Sequence, residues 1–211
     1  MVVLGTKNPD KLRELRSLLR EEPVRVLSLQ DFPRCAEPVE NGKTFAANAE
    51  KKARQYSRCT RTLTLADGSG LVVPALNGRP GVYSARFAGK NCTYQDNNQK
   101  LLKLLSGVPP SKRNAKFVCV IAVYDNGKFV RTVRGECAGS IAAEEKGRKG
   151  FGYDPVFIPR GFSKTFAELS RTEKNKISHR AKALKAAKRA IVGYLRRPAA
   201  FFRSAAGARS R

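Results

Sequence analysis

A chain of 211 residues, 41% of them hydrophobic, is long enough to bury a core without disulfide or metal staples, as one domain or as two lobes around a shared core. No run of 18 apolar residues occurs and Met1-Val2-Val3-Leu4 leads straight into polar residues, so neither a membrane span nor a secretory signal is expected, and the expected location is the cytoplasm. The formal charge of +25 favours polyanionic partners such as nucleoside triphosphates, RNA or DNA, and twelve Lys or Arg with no acid fall between Lys174 and Arg211.

Met1 to Gly5 reads as a short strand, and Asn8-Pro9-Asp10 then opens a helix with Asn8 as N-cap and Leu12, Leu15 and Leu19 on one face. Thr6, Asn8 and Lys11 crowd that opening turn, where free backbone amides suit phosphate; capping plus a solvated lysine is the plainer alternative. The Gly-x-x-x-x-Gly-Lys pattern of a P-loop is absent. Val24 to Leu29 alternates as a strand, Asp31 to Gly42 reads as a loop, and Thr44 to Tyr56 as a helix with Phe45, Ala49 and Ala53 inward and Asn48 and Lys52 on a flank. Leu63 to Ala66 is a strand ending in a turn, Asp67-Gly68-Ser69-Gly70. A carboxylate, a hydroxyl and two glycines there would let polar groups approach a bound anion or metal. Ser69 lacks the glycine a nucleophile elbow needs at position 67, and the single histidine, His179, is far downstream.

Tyr94 to Leu105 forms the next helix, broken at Val108-Pro109-Pro110. Lys116 to Tyr124 and Lys128 to Cys137 form a hairpin across Asp125-Asn126-Gly127, at the edge of a sheet or in a second lobe. After the glycine-rich run from Lys146 to Pro155, Val156 to Ile158 resumes a strand. Ser170-x-x-Glu173 resembles a capping box that opens, there or a turn or so later, a last amphipathic helix with Ile177, Ala181, Leu184, Ala187, Ile191 and Leu195 inward and a basic outer face. The expected organisation is one α/β domain over 1–197 and a frayed basic tail over 198–211. Five cysteines at least 18 residues apart, with no Cys-x-x-Cys, read as unpaired thiols of a reducing compartment and disfavour zinc.

Five separated motifs resemble the inosine triphosphate pyrophosphatases, over nearly the whole chain to about Leu195. They are Thr6-x-Asn8-x-x-Lys11; Glu40-x-Gly42-x-Thr44-Phe45 with Asn48-Ala49-x-x-Lys52-Ala53; Gly78-x-Pro80-Gly81-Val82-Tyr83-Ser84-Ala85-Arg86; Phe151-Gly152-Tyr153-Asp154-Pro155; and Ser178-His179-Arg180. The resemblance implies a long mixed central sheet with two lobes flanking an active-site cleft, a homodimer, and Mg2+-dependent hydrolysis of ITP, dITP or XTP to the monophosphate and pyrophosphate, sanitising the nucleotide pool. It implies phosphate contacts from Asn8, Lys11, Lys52 and Lys174, with Thr6 and Ser69 also in the substrate site, catalytic roles for Asp67 and Lys52, and a metal held by Glu40 and Asp67. Phe151, with Gly152 and Tyr153, would stack on the purine while Asp154, Ser178, His179 and Arg180 surround its edge. The family usually reads Asp-Asp-Ser-Gly where this chain has Asp67-Gly68-Ser69-Gly70, so Gly68 occupies the position of the expected general base and second metal carboxylate. Ala47 stands where the family commonly has Glu. An impaired nucleotide-binding homologue and a basic RNA- or DNA-binding protein are the alternative readings.

Overall fold

The computed structural model describes residues 1–196, so the expected tail, 198–211, lies outside the described residues. Six strands form one mixed sheet in the order β2-β1-β3-β4-β5-β6. The short β1 (Val2–Leu4) pairs in parallel with β2 (Val26–Ser28) and β3 (Leu63–Val72). From β3 onward, β4 (Asn114–Asp125), β5 (Lys128–Ile141) and β6 (Phe157–Pro159) pair antiparallel. Asn126 and Gly127, with φ of 46° and 82°, supply the two positive φ values of a two-residue hairpin loop between β4 and β5.

Alternation along the strands sorts side chains onto two faces. Leu63, Leu65, Cys119, Ile121 and Val123 pack with α1 (Pro9–Leu18) and α5 (His179–Leu195) through Leu12, Leu15, Leu184 and Ile191. The intervening Ala66, Val118, Val120 and Ala122 pack with Ala49, Ala53 and Tyr56 of α2 (Phe45–Thr60). A third cluster, including Leu71, Phe117, Phe157 and Phe166, gathers under Leu101 of α3 (Tyr94–Leu104) and forms the second lobe. Each fully buried Leu or Phe contributes roughly 1.5–3 kcal/mol.

Four expectations need correction. No turn interrupts residues 67–70, because β3 runs unbroken from Leu63 to Val72. Its glycines serve close packing: a Cβ at Gly68 would lie 2.2 Å from the Phe45 carbonyl oxygen, and one at Gly70 would lie 2.4 Å from Ser84 Oγ. The β4–β5 hairpin is not at an edge, since β3 and β6 flank it. The last helical stretch is two helices, α4 (Arg171–Ile177) and α5, because Ser178 ends one and caps the other. The inward face of α5 is Ala183, Leu184, Ala187 and Ile191, with Leu195 exposed. Finally, Cys35 and Cys59 are joined by a disulfide with Cα atoms 5.8 Å apart, whereas Cys92, Cys119 and Cys137 are free thiols. Sequence distance hid the pair because the loop after β2 folds back along α2.

Candidate active site

A cleft of about 280 Å³ opens between the lobes, where α1, β3, α5 and the loops after β3 and β5 converge. At its centre is Asp67, only 7% exposed. Its carboxylate accepts hydrogen bonds from Lys11 Nζ at 2.8 and 3.0 Å and from Ser69 Oγ at 2.8 Å, and Arg180 Nη2 lies 3.6 Å away. Burial alone would raise its pKa, but the charges of Lys11, Arg180 and Lys52 outweigh that and hold it well below the usual carboxylate range. The strand pleat explains the neighbour: Asp67 and Ser69 share the face of Leu63 and Leu65, whereas Gly68 shares the face of Ala66 and abuts the start of α2. Asp67 and Ser69 line the cleft and Gly68 does not.

Lys11 is placed by the first turn of α1, where its backbone amide donates to Asn8 Oδ1 at 3.3 Å and the Asn8 amide donates to Thr6 Oγ1 at 3.2 Å. Asn8 and Lys11 line the cleft, and Thr6 holds the turn without reaching the lining. Across the cleft, Lys52 Nζ donates to Glu40 Oε1 at 2.9 Å, and Arg86 Nη2 donates to the Glu40 carbonyl at 3.0 Å.

The other end is aromatic. Phe151 carries two cations over its ring, Lys174 Nζ at 5.2 Å and Arg180 at 5.3 Å from the centroid, and Tyr94 tilts against it at 6.3 Å. Asp154 is buried and accepts from the Phe151 amide at 2.8 Å and from Lys174 Nζ, so it fixes the turn and the lysine together. Lys174, expected among the phosphate contacts, therefore sits against Asp154 and the aromatic rings of Phe151 and Phe166. The buried Tyr153 donates its hydroxyl to the Ser84 carbonyl at 2.9 Å, tying this turn to the loop after β3, while Gly152 adopts a φ of 63° and lines the cleft.

Ser178, as N-cap of α5, accepts from the Ala181 amide at 3.2 Å, and this places His179 and Arg180 in the first turn facing the cleft. His179 stacks on Phe117 at 4.6 Å and 11°, and its Nδ1 is buried without a partner among the described residues. Burial, followed by the charges of Arg180 and Lys174, drives its pKa well below 6.5, so the ring is neutral at pH 7. Phe117, Tyr94, Glu14 and Arg86 also line the cleft, yet sequence reasoning gave them no role. Phe117 alternates like any core residue on β4; only Arg86, closing a quoted motif, carried a usable signal.

Of the four carboxylates on the cleft wall, Glu14, Glu40, Asp67 and Asp154, the last is held by Lys174 and the Phe151 amide at the aromatic end, while Glu40 and Asp67 offer hard oxygen donors beside the lysines, and Glu40 keeps 39% of its side chain exposed. No cluster of three or more metal-ligating side chains occurs among the described residues. Magnesium commonly takes one or two carboxylates and completes its shell with water and substrate phosphates, so the donor chemistry of Glu40 and Asp67 suits it.

Cations around a buried carboxylate at one end and a stacked aromatic with an unpartnered imidazole at the other define an α/β protein shaped for an anionic ligand with a planar ring. The Ham1 family profile matches residues 2–190, and the chain belongs to that family. It is 50% identical over 186 residues to a dITP/XTP pyrophosphatase of Desulforamulus reducens, covering 88% of this chain and 92% of that protein. Among solved structures, a HAM1 protein from Coxiella burnetii superposes with a TM-score of 0.84 at 40% identity, covering 91% of this chain and 98% of the other. A nucleoside-triphosphatase / dITP/XTP pyrophosphatase from Mycobacterium abscessus superposes with a TM-score of 0.75 at 43% identity, covering 88% and 97%.

Proposed function

We propose that the chain hydrolyses non-standard purine nucleoside triphosphates, dITP and XTP foremost, to the monophosphate and pyrophosphate, as its relatives' names describe. The observation that carries this reading is the pairing, in one cleft, of the Lys11–Asp67–Arg180 cluster with Phe151 and the unpartnered Nδ1 of His179. The triphosphate lies along Asn8, Lys11 and Lys52, whose donors offset its negative charge. Glu40 and Asp67 would hold Mg2+, which would supply charge neutralisation on the phosphates. Position 68 faces the start of α2, so Asp67, which faces the cleft, is the carboxylate that accepts the proton of the water attacking the α-phosphorus.

At the aromatic end Phe151 stacks on the purine, and His179 and Arg180 present donors to a 6-keto oxygen. Adenine would oppose an amino group to those donors, at a cost of roughly 1–3 kcal/mol per unmade bond. Incubating the chain with XTP and Mg2+ and resolving the products tests the reaction: xanthosine monophosphate and pyrophosphate in equal amounts are expected. A diphosphate with inorganic phosphate would refute it.

Nucleic-acid binding is the second reading, favoured by a groove of about 1080 Å³ between α1, α4 and α5 that carries Arg13, Arg20, Arg171, Lys176, Lys182 and Lys185. A steep salt dependence of oligonucleotide affinity, reduced by reversing charges on α5, is the expected signature. The homodimer is carried over from the family resemblance and checked by sedimentation, and the cytoplasmic location rests on the lack of an apolar run in the sequence. Among the described residues no helix is long and apolar enough to cross a membrane.

A further inference from the structure

We propose that the Cys35–Cys59 disulfide is a redox-controlled clamp on the strap of chain that carries Glu40. Residues 35–42 run antiparallel along α2, pinned about once per helical turn. Cys35 bonds Cys59, the Ala36 carbonyl accepts from Gln55 Nε2 at 3.2 Å, Glu40 pairs with Lys52 at 2.9 Å, and Asn41 Oδ1 accepts from Lys51 Nζ at 2.8 Å. At the far end the Gly42 amide donates to Asn48 Oδ1 at 2.7 Å, and Asn48 Nδ2 returns a bond to the Gly42 carbonyl at 3.3 Å.

The covalent pin is the strongest of these. Between Ala36 and Gly42 only Pro38 is buried, Val39 is 71% exposed, and the Gln55 and Lys51 bonds are exposed to solvent. Polar contacts of that kind hold a segment weakly on their own. The disulfide is also the accessible cysteine pair: Cys59 is exposed and Cys35 half-buried, while Cys119 and Cys137 are buried. A small dithiol reductant carries out the step. Its thiolate attacks one sulfur, the S–S bond breaks, and the other sulfur departs as a thiolate that takes a proton. The reductant's second thiol then displaces the mixed disulfide. Two electrons and two protons pass to the protein, and the dithiol becomes a cyclic disulfide. With the pin open, the strap loosens at its Cys35 end and Glu40 no longer meets Lys52 in a fixed place.

The link from strap to catalysis rests on the proposed function, in which Glu40 helps hold Mg2+. Thiol titration and amide hydrogen exchange of the full chain, with and without dithiothreitol, separate the two. Expected on reduction are two further titratable thiols, exchange faster by tenfold or more at the hydrogen-bonded amides of Cys35, Asn41 and Gly42 and unchanged in the sheet, reversal on reoxidation, and a severalfold rise in the Mg2+ concentration giving half-maximal XTP hydrolysis. Cys35→Ser with Cys59→Ser reproduces the reduced state without reductant, its fold checked by thermal unfolding. Unchanged exchange on full reduction overturns the clamp. Loosened exchange with no change in the Mg2+ requirement of an active enzyme overturns its coupling to the site. Loosened exchange in a chain that never releases pyrophosphate supports the clamp and counts against the proposed function alone.

Discussion

Asp67 and Gly68 are consecutive on one extended strand, and the pleat sends the first toward Lys11 and Arg180 and the second toward the start of α2. A carboxylate cannot be restored at position 68 without displacing the Phe45 backbone, whose oxygen lies 2.2 Å from the missing Cβ. Gly68→Ala is therefore expected to cost about 1–3 kcal/mol as overpacking, read as a melting temperature lower by several degrees. Asp67→Asn removes the proposed base and one negative charge facing the triphosphate. With XTP, kcat should fall on the order of 10²–10⁴-fold while KM stays level or drops; a KM defect at unchanged kcat would reassign Asp67 to binding. His179 gives a pH prediction with a definite sign. Burial and the nearby cations keep it neutral in the folded chain, while the unfolded chain takes up a proton near the ordinary value of 6.5. Its contribution to stability is complete above that value and is lost as pH falls through and below it. The melting temperature should decline below about pH 6.5, and His179→Gln should flatten that part of the profile.

Helices and strands were legible where side-chain period and cap chemistry agree. Asn8-Pro9, Thr44 and Ser170-x-x-Glu173 all cap helices, and Asn126-Gly127 makes the hairpin. The misread elements share one cause, an element whose identity depends on a distant neighbour. Asp67-Gly68-Ser69-Gly70 has the composition of a turn, yet full pairing with Ile121, Val120, Cys119 and Val118 keeps it in the sheet while Phe45 and Ser84 press on its glycines. Likewise the break at Ser178 is a tertiary choice, since it turns His179 and Arg180 into the cleft. Ser178→Ala removes the cap of α5 and should cost about 1 kcal/mol. Because it also frees the turn holding the base-side donors, KM for XTP should rise more than kcat falls. A purely thermal effect, with kinetic constants unchanged, would show that the cap does not set the donors.

At the scale of the whole molecule, composition gave a mixed α/β globule and a taste for polyanions, while the six-strand order and the two-sided core required long-range pairing that no local pattern encodes. The candidate site was legible as scattered motifs because a triphosphate demands lysines and a ring demands an aromatic. Their division into a cationic end at Lys11 and Lys52 and an aromatic end at Phe151 and Lys174 emerged only when five loops and termini met in one cleft. Its central consequence is discrimination by the 6-position of the purine. The most direct measurement is kcat/KM for pyrophosphate release from dITP, XTP, dGTP and dATP by the unaltered chain at saturating Mg2+. The account predicts turnover of dITP and XTP that exceeds dATP by about 10²-fold or more, as two unmade donor bonds require. Equal turnover of dATP and XTP would contradict it.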